Sequence, residues 1–281
     1  MSDLVQAYLE WMELKGFSGE TIANRRRFFA RLERQLQLPV DLASAQVLTE
    51  WRASLTITDR VVIWYVSHLR CYFGWAIEYG VRADNPAARI PVPRAGRLLP
   101  RPVSHAQLAA AIAAAPYPVR LWLILAAWAG LRAKEIALLR RENILETSPE
   151  PVLLVAADAT KGHSERAVPL KQFVVDELTA APLPPWGWAF GRADGKPGPN
   201  RPSRVSQRCG DFLRSQGIPA SLHQFRHWFG TETWRASRDL RLVQELLGHM
   251  SPVTTAGYTL YSSTAAAAAV AALPEPGDLL T

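Results

Sequence analysis

The sequence predicts a mainly α-helical chain with one small antiparallel β-sheet, built as an N-terminal four-helix module followed by a larger α+β domain. Three observations carry this prediction. Apolar residues recur three and four positions apart through most of the first module, the period of one helical face. A run rich in Pro and Arg then breaks the pattern. Beyond it helical segments resume, and only a few short stretches read as strands.

In the first module, Leu4, Tyr8, Leu9 and Met12 share a helical face, and Gly16 supplies a stop. Ser18 and Thr21 precede a second helix from Ile22 through Arg25, Arg26, Phe28, Phe29, Leu32 and Leu36, with Pro39 closing it. A shorter helix is expected around Leu48 to Leu55. Thr58 or Asp59 caps a fourth, which carries Val61, Val62, Trp64, Tyr65, Leu69, Tyr72, Phe73 and Ile77 and ends at Gly80. Its aromatic residues are expected in the core. The module is bounded at residues 1–89, and residues 90–103 form a linker that proline keeps extended. Arg89, Arg94, Arg97 and Arg101 are expected to be exposed on or beside it, as a basic strap suited to a phosphate backbone.

The second domain is bounded at residues 104–281. Ser104 is a good N-cap for a helix over Gln107 to Ala114, and Pro118 opens the most apolar helix, Leu121 to Ala129, which Gly130 ends. Arg132 falls where one helix stops and the next begins, so it is expected to project into a cleft, with Glu135 placed to orient its guanidinium. Val152 to Ala156 and Arg166 to Leu170 read as a hairpin whose turn carries Lys161 and His163, and Trp188 to Phe190 as a short third strand. Arg192, Lys196, Arg201, Arg204 and Arg208 form a basic run leading into a helix from about Pro202 to Gln216. Ser221 to Gly230 then places His223 and Arg226 three residues apart on one helical face, and the Ala-rich segment Leu260 to Leu273 is an amphipathic helix candidate.

Composition narrows the function. The net charge is +7 with a pI near 9.7, spread over both halves of the chain, and favours a polyanionic partner. Cys71 and Cys209 are the only cysteines and lack ligand-spaced partners, so no disulfide framework or zinc site is read. Neither a P-loop nor a carboxylate cluster suited to two metals is visible, and no cofactor is expected. The apolar run Leu121 to Leu131 is too short to span a bilayer, and Asp3, Glu10 and Glu13 argue against a signal peptide, so a cytoplasmic protein is expected.

Five blocks in order carry a resemblance. These are Ala129 to Glu135, Thr160 to Leu170, Leu222 to His227, Leu246 to His249, and Gly257-Tyr258. Together they resemble the tyrosine recombinase family, which includes phage integrases and chromosome-dimer resolvases. The resemblance implies a core-type DNA-binding module at 1–89, a catalytic domain at 104–281, and double-stranded recombination sites as the partner. It also implies a tetramer on DNA, coupled by the C-terminal helix docking onto a neighbouring protomer, although that helix could instead cover its own domain. The chain starts at the core-binding module, so no separate arm-binding domain is expected.

The chemistry also follows from the residue types. Arg132 and Arg226 can clamp the non-bridging oxygens of a phosphodiester with paired hydrogen bonds. A tyrosine with a pKa of about 10 attacks only if its proton is accepted, so His223 is the candidate base for Tyr258. Lys161 is the candidate acid for the leaving 5′ oxygen, and His249 a hydrogen-bond donor to the phosphate. Tyr258 is preferred to Tyr261 because its spacing from His249 fits the family pattern. DNA contacts are expected from Arg25, Arg26, Arg94, Arg97, Arg101, Arg201, Arg204 and Arg208, whereas His68, His105, His163 and His227 are expected to be structural or solvent-facing. A type IB topoisomerase-like nicking-closing enzyme and a non-catalytic DNA-binding protein of the same fold are the alternatives.

Overall fold

The computed structural model describes residues 1–94, 96, 101–146, 151–159, 165–192 and 194–248. Lys161, His163, His249, Tyr258, Tyr261, Arg97 and the 260–273 helix candidate lie outside the described residues. The chain divides into two compact units, Met1–Arg97 and Leu98–Thr281.

The first unit consists of α1 (Asp3–Leu14), α2 (Gly19–Leu36), α3 (Ala45–Ser54) and α4 (Asp59–Glu78). Side-chain caps open two of them: Ser18 accepts from Thr21 N at 3.3 Å and Ser44 from Val47 N at 3.2 Å. The helical faces converge on an aromatic core in which Tyr8, Phe29, Tyr72 and Phe73 are almost fully buried. Tyr8 meets Phe29 and Tyr72 edge-on, an arrangement that puts positive ring edges against negative ring faces. His68 is also buried, its ring centroid 3.8 Å from that of Trp64 and tilted against it, and burial together with the charge of Arg25 pushes its pKa down to about 3.

The start of the expected linker is part of this core. Ile90 is 2 % exposed and packs among the apolar residues of the first unit. Arg70 fixes the approach: its Nε donates to Ala87 O at 3.1 Å and its Nη2 to Ala88 O at 3.2 Å and Ile90 O at 3.0 Å. Arg89, Arg94 and Arg101 are exposed.

The second unit is arranged around α6 (Val119–Trp128), whose residues from Leu121 to Ala127 are all buried. Leucine, isoleucine and tryptophan on every face leave such a helix no stable place except the centre of a core. Against it pack α8 (Gln172–Ala180), α9 (Pro202–Ser215) and α10 (Leu222–Ser237). Helix α5 (His105–Ala114) begins with a capping box between Ser104 and Gln107, and α7 (Ala133–Ala137) and α11 (Leu240–Leu247) are short.

The sheet is antiparallel in the order β1-β2-β3, formed by Ile144–Leu145, Val152–Val155 and Arg166–Pro169. Its register pairs Val155 with Arg166 and Leu153 with Val168. The third strand is therefore Ile144–Leu145 and not Trp188 to Phe190. Trp188 makes only an isolated bridge to Arg140, whose guanidinium lies 4.0 Å from the indole centroid. The bridge, flanked by Arg141 N to Gly187 O at 2.7 Å and Ala189 N to Leu139 O at 2.8 Å, carries a cation–π pair in addition but does not extend into a ladder.

Gly130 connects the central helix to the site. It adopts φ +62°, and a Cβ there would lie 2.6 Å from Phe229 Cδ1 and 3.2 Å from Leu247 Cδ2. Gly130→Ala therefore combines left-handed backbone strain with a clash against an aromatic ring. We expect it to destabilise the second unit by about 2–4 kcal/mol, seen as a melting transition lowered by roughly 5–10 °C.

Candidate active site

The site is assembled around the carboxylate of Glu135, whose side chain is 0 % exposed. Arg132 is the N-cap of α7 with an extended backbone, and Glu135 sits at the third helical position. The carboxylate therefore reaches back to the backbone N–H of Arg132 at 2.8 Å while accepting from its Nη1 at 2.7 Å. Arg166 approaches from β3 and forms a two-pronged pair, Nη1 to Oε1 at 3.0 Å and Nη2 to Oε2 at 2.8 Å. Arg226 arrives from the first turns of α10, with its Nη1 3.5 Å from Glu135 Oε2.

The same three arginines cap one helix end. Arg166 Nε donates to Leu246 O at 2.8 Å, Arg226 Nη2 to Leu247 O at 2.6 Å, and Arg132 Nη2 to Gly248 O at 3.2 Å. The last carbonyls of a helix have no partner within it and carry the negative end of its dipole, so three consecutive guanidinium contacts satisfy both needs. Arg226 Nη1 additionally donates to Gly130 O. Gly248 adopts φ +59°, and a Cβ there would lie 2.9 Å from Arg166 Nη1. Only glycine lets α11 close over that arginine.

Electrostatics follow from the count of charges. Three guanidiniums share one carboxylate, so these four groups together carry +2, which suits an anionic ligand. Burial raises the pKa of Glu135, but the hydrogen bond from Arg166 and the charges of Arg166, Arg226 and Arg132 outweigh it and hold the carboxyl at about 2. Exposure separates the arginines: Arg132 is 27 % exposed, Arg166 7 % and Arg226 1 %. Arg132 is thus the member most open to an incoming group.

His223 lies at the opening turn of α10, where solvent reaches its ring. Surrounding protein atoms nevertheless displace part of its hydration, and this and the charges of Arg226 and Arg132 lower its pKa. His227 stands one turn on, its ring centroid 4.4 Å from that of His223, and burial, His223 and Arg226 bring its pKa down to about 4. The helix start is held by Gln224, which accepts from Ser221 N at 2.8 Å.

Other expected contacts are more anchored than the sequence implied. Arg26 donates to Gln6 Oε1 at 2.7 Å, and Arg25 is half-buried with Nε and Nη1 withdrawn from solvent. Arg208 lies over Trp122 at 5.5 Å, on the core side of α9. Arg201 and Arg204 are exposed and, with Arg192, Asp194 and Asn200, line an open cavity of about 330 Å³. Arg166 was absent from the expected site. Its signal was present in the strand alternation, since Arg166 shares a face with the buried Val168, and an arginine on an inward face needs a buried partner. No group of His, Cys, Asp and Glu among the described residues could hold a metal ion. No described helix is long and apolar enough to cross a membrane.

This geometry places a cationic cluster, with Arg132 open to solvent, on a mainly helical scaffold. Residues 102–264 match the sequence model of the phage integrase family. The chain is 29 % identical over 274 residues to tyrosine recombinase XerC of Erythrobacter litoralis, covering 87 % of this chain and 83 % of that one. It is 30 % identical over 217 residues to tyrosine recombinase XerD of Caulobacter vibrioides, covering 69 % and 68 %. A lambda integrase (75–356) dimer bound to a COC′ core site superposes with a TM-score of 0.73 at 16 % identity, covering 92 % of this chain and 94 % of that one. The chain belongs to the phage integrase family and is a tyrosine recombinase, an enzyme of site-specific DNA recombination.

Glu135 provides a stability test. Its folded pKa of about 2 lies below the ordinary carboxylate value, so its contribution is complete above about pH 4.5 and is lost as pH falls through 2. The shift corresponds to on the order of 3 kcal/mol. Urea midpoints of the wild-type chain should fall across that window. Those of Glu135→Gln should start lower and change less, and parallel profiles would contradict the assignment.

Proposed function

We propose that the chain cleaves and rejoins DNA strands at specific sites through a covalent 3′-phosphotyrosyl intermediate, as an integrase-type enzyme. The observation that carries this is the convergence of Arg132 and Arg226 on Glu135 at the end of α11, immediately ahead of His249. Two guanidiniums placed side by side offer paired donors to the non-bridging oxygens of a phosphodiester and stabilise the charge that develops there as the nucleophile attacks.

In this mechanism the oxygen of Tyr258 attacks phosphorus as His223 accepts its proton. A pKa below the usual histidine value keeps that ring neutral, and so able to act as a base, at neutral pH. The P–O5′ bond breaks, Lys161 protonates the departing 5′ oxygen, and His249 donates a hydrogen bond to the phosphate. The energy of the phosphodiester is retained in the phosphotyrosyl bond, so no nucleotide hydrolysis is required. Attack by a 5′ hydroxyl from a second duplex reverses the step with exchanged partners.

The first unit, residues 1–89, acts in this reading as a DNA-binding module, joined through residues 90–103 to a catalytic domain at 104–281. Exposed Arg94, Arg101, Arg201 and Arg204 are suited to phosphate contacts. Because Arg25 is half-buried and Arg26 and Arg208 are engaged with Gln6 and Trp122, they contribute less to salt-dependent affinity. Assembly as a tetramer on DNA is part of the proposal, since a lambda integrase tetramer bound to a Holliday junction shares the fold at a TM-score of 0.71.

The test uses a nicked duplex carrying a site selected from a randomised library by binding to the Tyr258→Phe chain. The wild-type and Tyr261→Phe chains should form a covalent adduct stable to detergent, and Tyr258→Phe should form none. An adduct in Tyr258→Phe would overturn the assignment. From neutral pH downward, cleavage rate should fall along an acid limb that lies below the ordinary histidine pKa of about 6.5. His223→Gln should lose that acid limb together with about 100-fold or more in rate. Relaxation of plasmids lacking the site, without recombinants, would instead identify a nicking-closing enzyme.

A further inference from the structure

We propose that Arg166 is a positioning residue of the cleavage site, holding Glu135 in place for both phosphate-gripping arginines and fixing the end of α11 ahead of His249. The inference rests on the reading of Arg132 and Arg226 as the groups that grip the phosphate. Three observations lead to it. Arg166 is paired to Glu135 through two parallel hydrogen bonds, at 3.0 and 2.8 Å. Its third N–H, on Nε, donates to Leu246 O at 2.8 Å, so its planar fork joins β3, α7 and α11. Its guanidinium also lies against Gly248, where a Cβ would come within 2.9 Å of Nη1.

The consequence is geometric. Glu135 has two oxygens, and Arg166 donates to both. Oε1 is thereby directed to Arg132 at 2.7 Å, and Oε2 to the Arg132 N–H at 2.8 Å and to Arg226 at 3.5 Å. Without Arg166 the carboxylate can rotate toward either remaining arginine and draw it away from the ligand. Leu246 O would lose its donor at the same time, releasing the last turn before His249. Arg166 is only 7 % exposed against 27 % for Arg132, and its hydrogen bonds go to Glu135 and Leu246, so its effect on the reaction passes through these neighbours. Lysine cannot replace it, because a single ammonium supplies no planar two-pronged fork.

A general loss of folding would also reduce activity, so the test must separate the two. The nicked duplex is prepared in two forms, one with a phosphate and one with a methylphosphonate at the scissile position. The methylphosphonate is neutral and depends far less on positive charge. Cleavage by Arg166→Gln, Arg166→Lys and Arg132→Ala is measured against wild type on both. Arg166→Gln should cleave the phosphate about 10- to 100-fold more slowly, the scale seen when a partner that orients a functional ligand is removed. The deficit should shrink by about tenfold on the methylphosphonate, as expected when the lost element is charge stabilisation. Arg166→Lys should show the same pattern at smaller amplitude, and it carries the test if the glutamine variant melts below the assay temperature. Equal deficits on both substrates, or no deficit on either, overturn the role of Arg166. Arg132→Ala keeps the two readings apart. If its deficit is equal on both substrates, the phosphate-grip reading of Arg132 fails. If its deficit shrinks while that of Arg166 does not, only the positioning role fails.

Discussion

The second unit depends on a buried carboxylate surrounded by cations. Glu135 is withdrawn from water and accepts from Arg132 and Arg166, with Arg226 close by. Burying an ionised carboxylate alone would cost far more than a protein domain can spare, and burying three guanidiniums near one another would be as unfavourable. Each makes the other tolerable. Elements separated by more than a hundred residues in sequence meet around this one carboxylate, with Arg166 and Arg226 buried beside it and Arg132 partly open to solvent.

The helix end at Leu246 to Gly248 extends this arrangement. Its carbonyls need donors, and the arginines have N–H groups left after serving Glu135. The segment that leads to His249 and Tyr258 thus departs from a point fixed by the residues assigned to the phosphate. Because the members share hydrogen-bond partners, a change to one of them is expected to be felt by the others non-additively.

Much of this was legible in the sequence, for reasons that can be named. The helices of the first unit follow from apolar spacing that begins and ends at cap residues such as Ser18 and Gly16. Arg132 was readable because a glycine stop at Gly130 followed by a new helical pattern leaves little choice but a junction. The strand Ile144–Leu145 was not, because two residues carry no periodicity, whereas Trp188 looked strand-like although its partner is the guanidinium of Arg140. Arg166 was passed over because strand alternation marks its face but not its partner, which lies 31 residues away. Charge alone likewise gave no sign of the contacts of Arg26 with Gln6 and of Arg208 with Trp122, which only folding brings near.

Arg70 carries an implication for modular engineering. By gathering the carbonyls of Ala87, Ala88 and Ile90, it holds the buried Ala87 and Ile90 as an integral part of the first unit's apolar body. A chimera that exchanges this unit between relatives keeps its packing intact when the graft point lies after Ile90. A junction placed earlier would strand Arg70 without its acceptors and open the core at Ala87. The seam for recombining such modules is thus set by one guanidinium on α4, downstream of where the change in composition alone would put it.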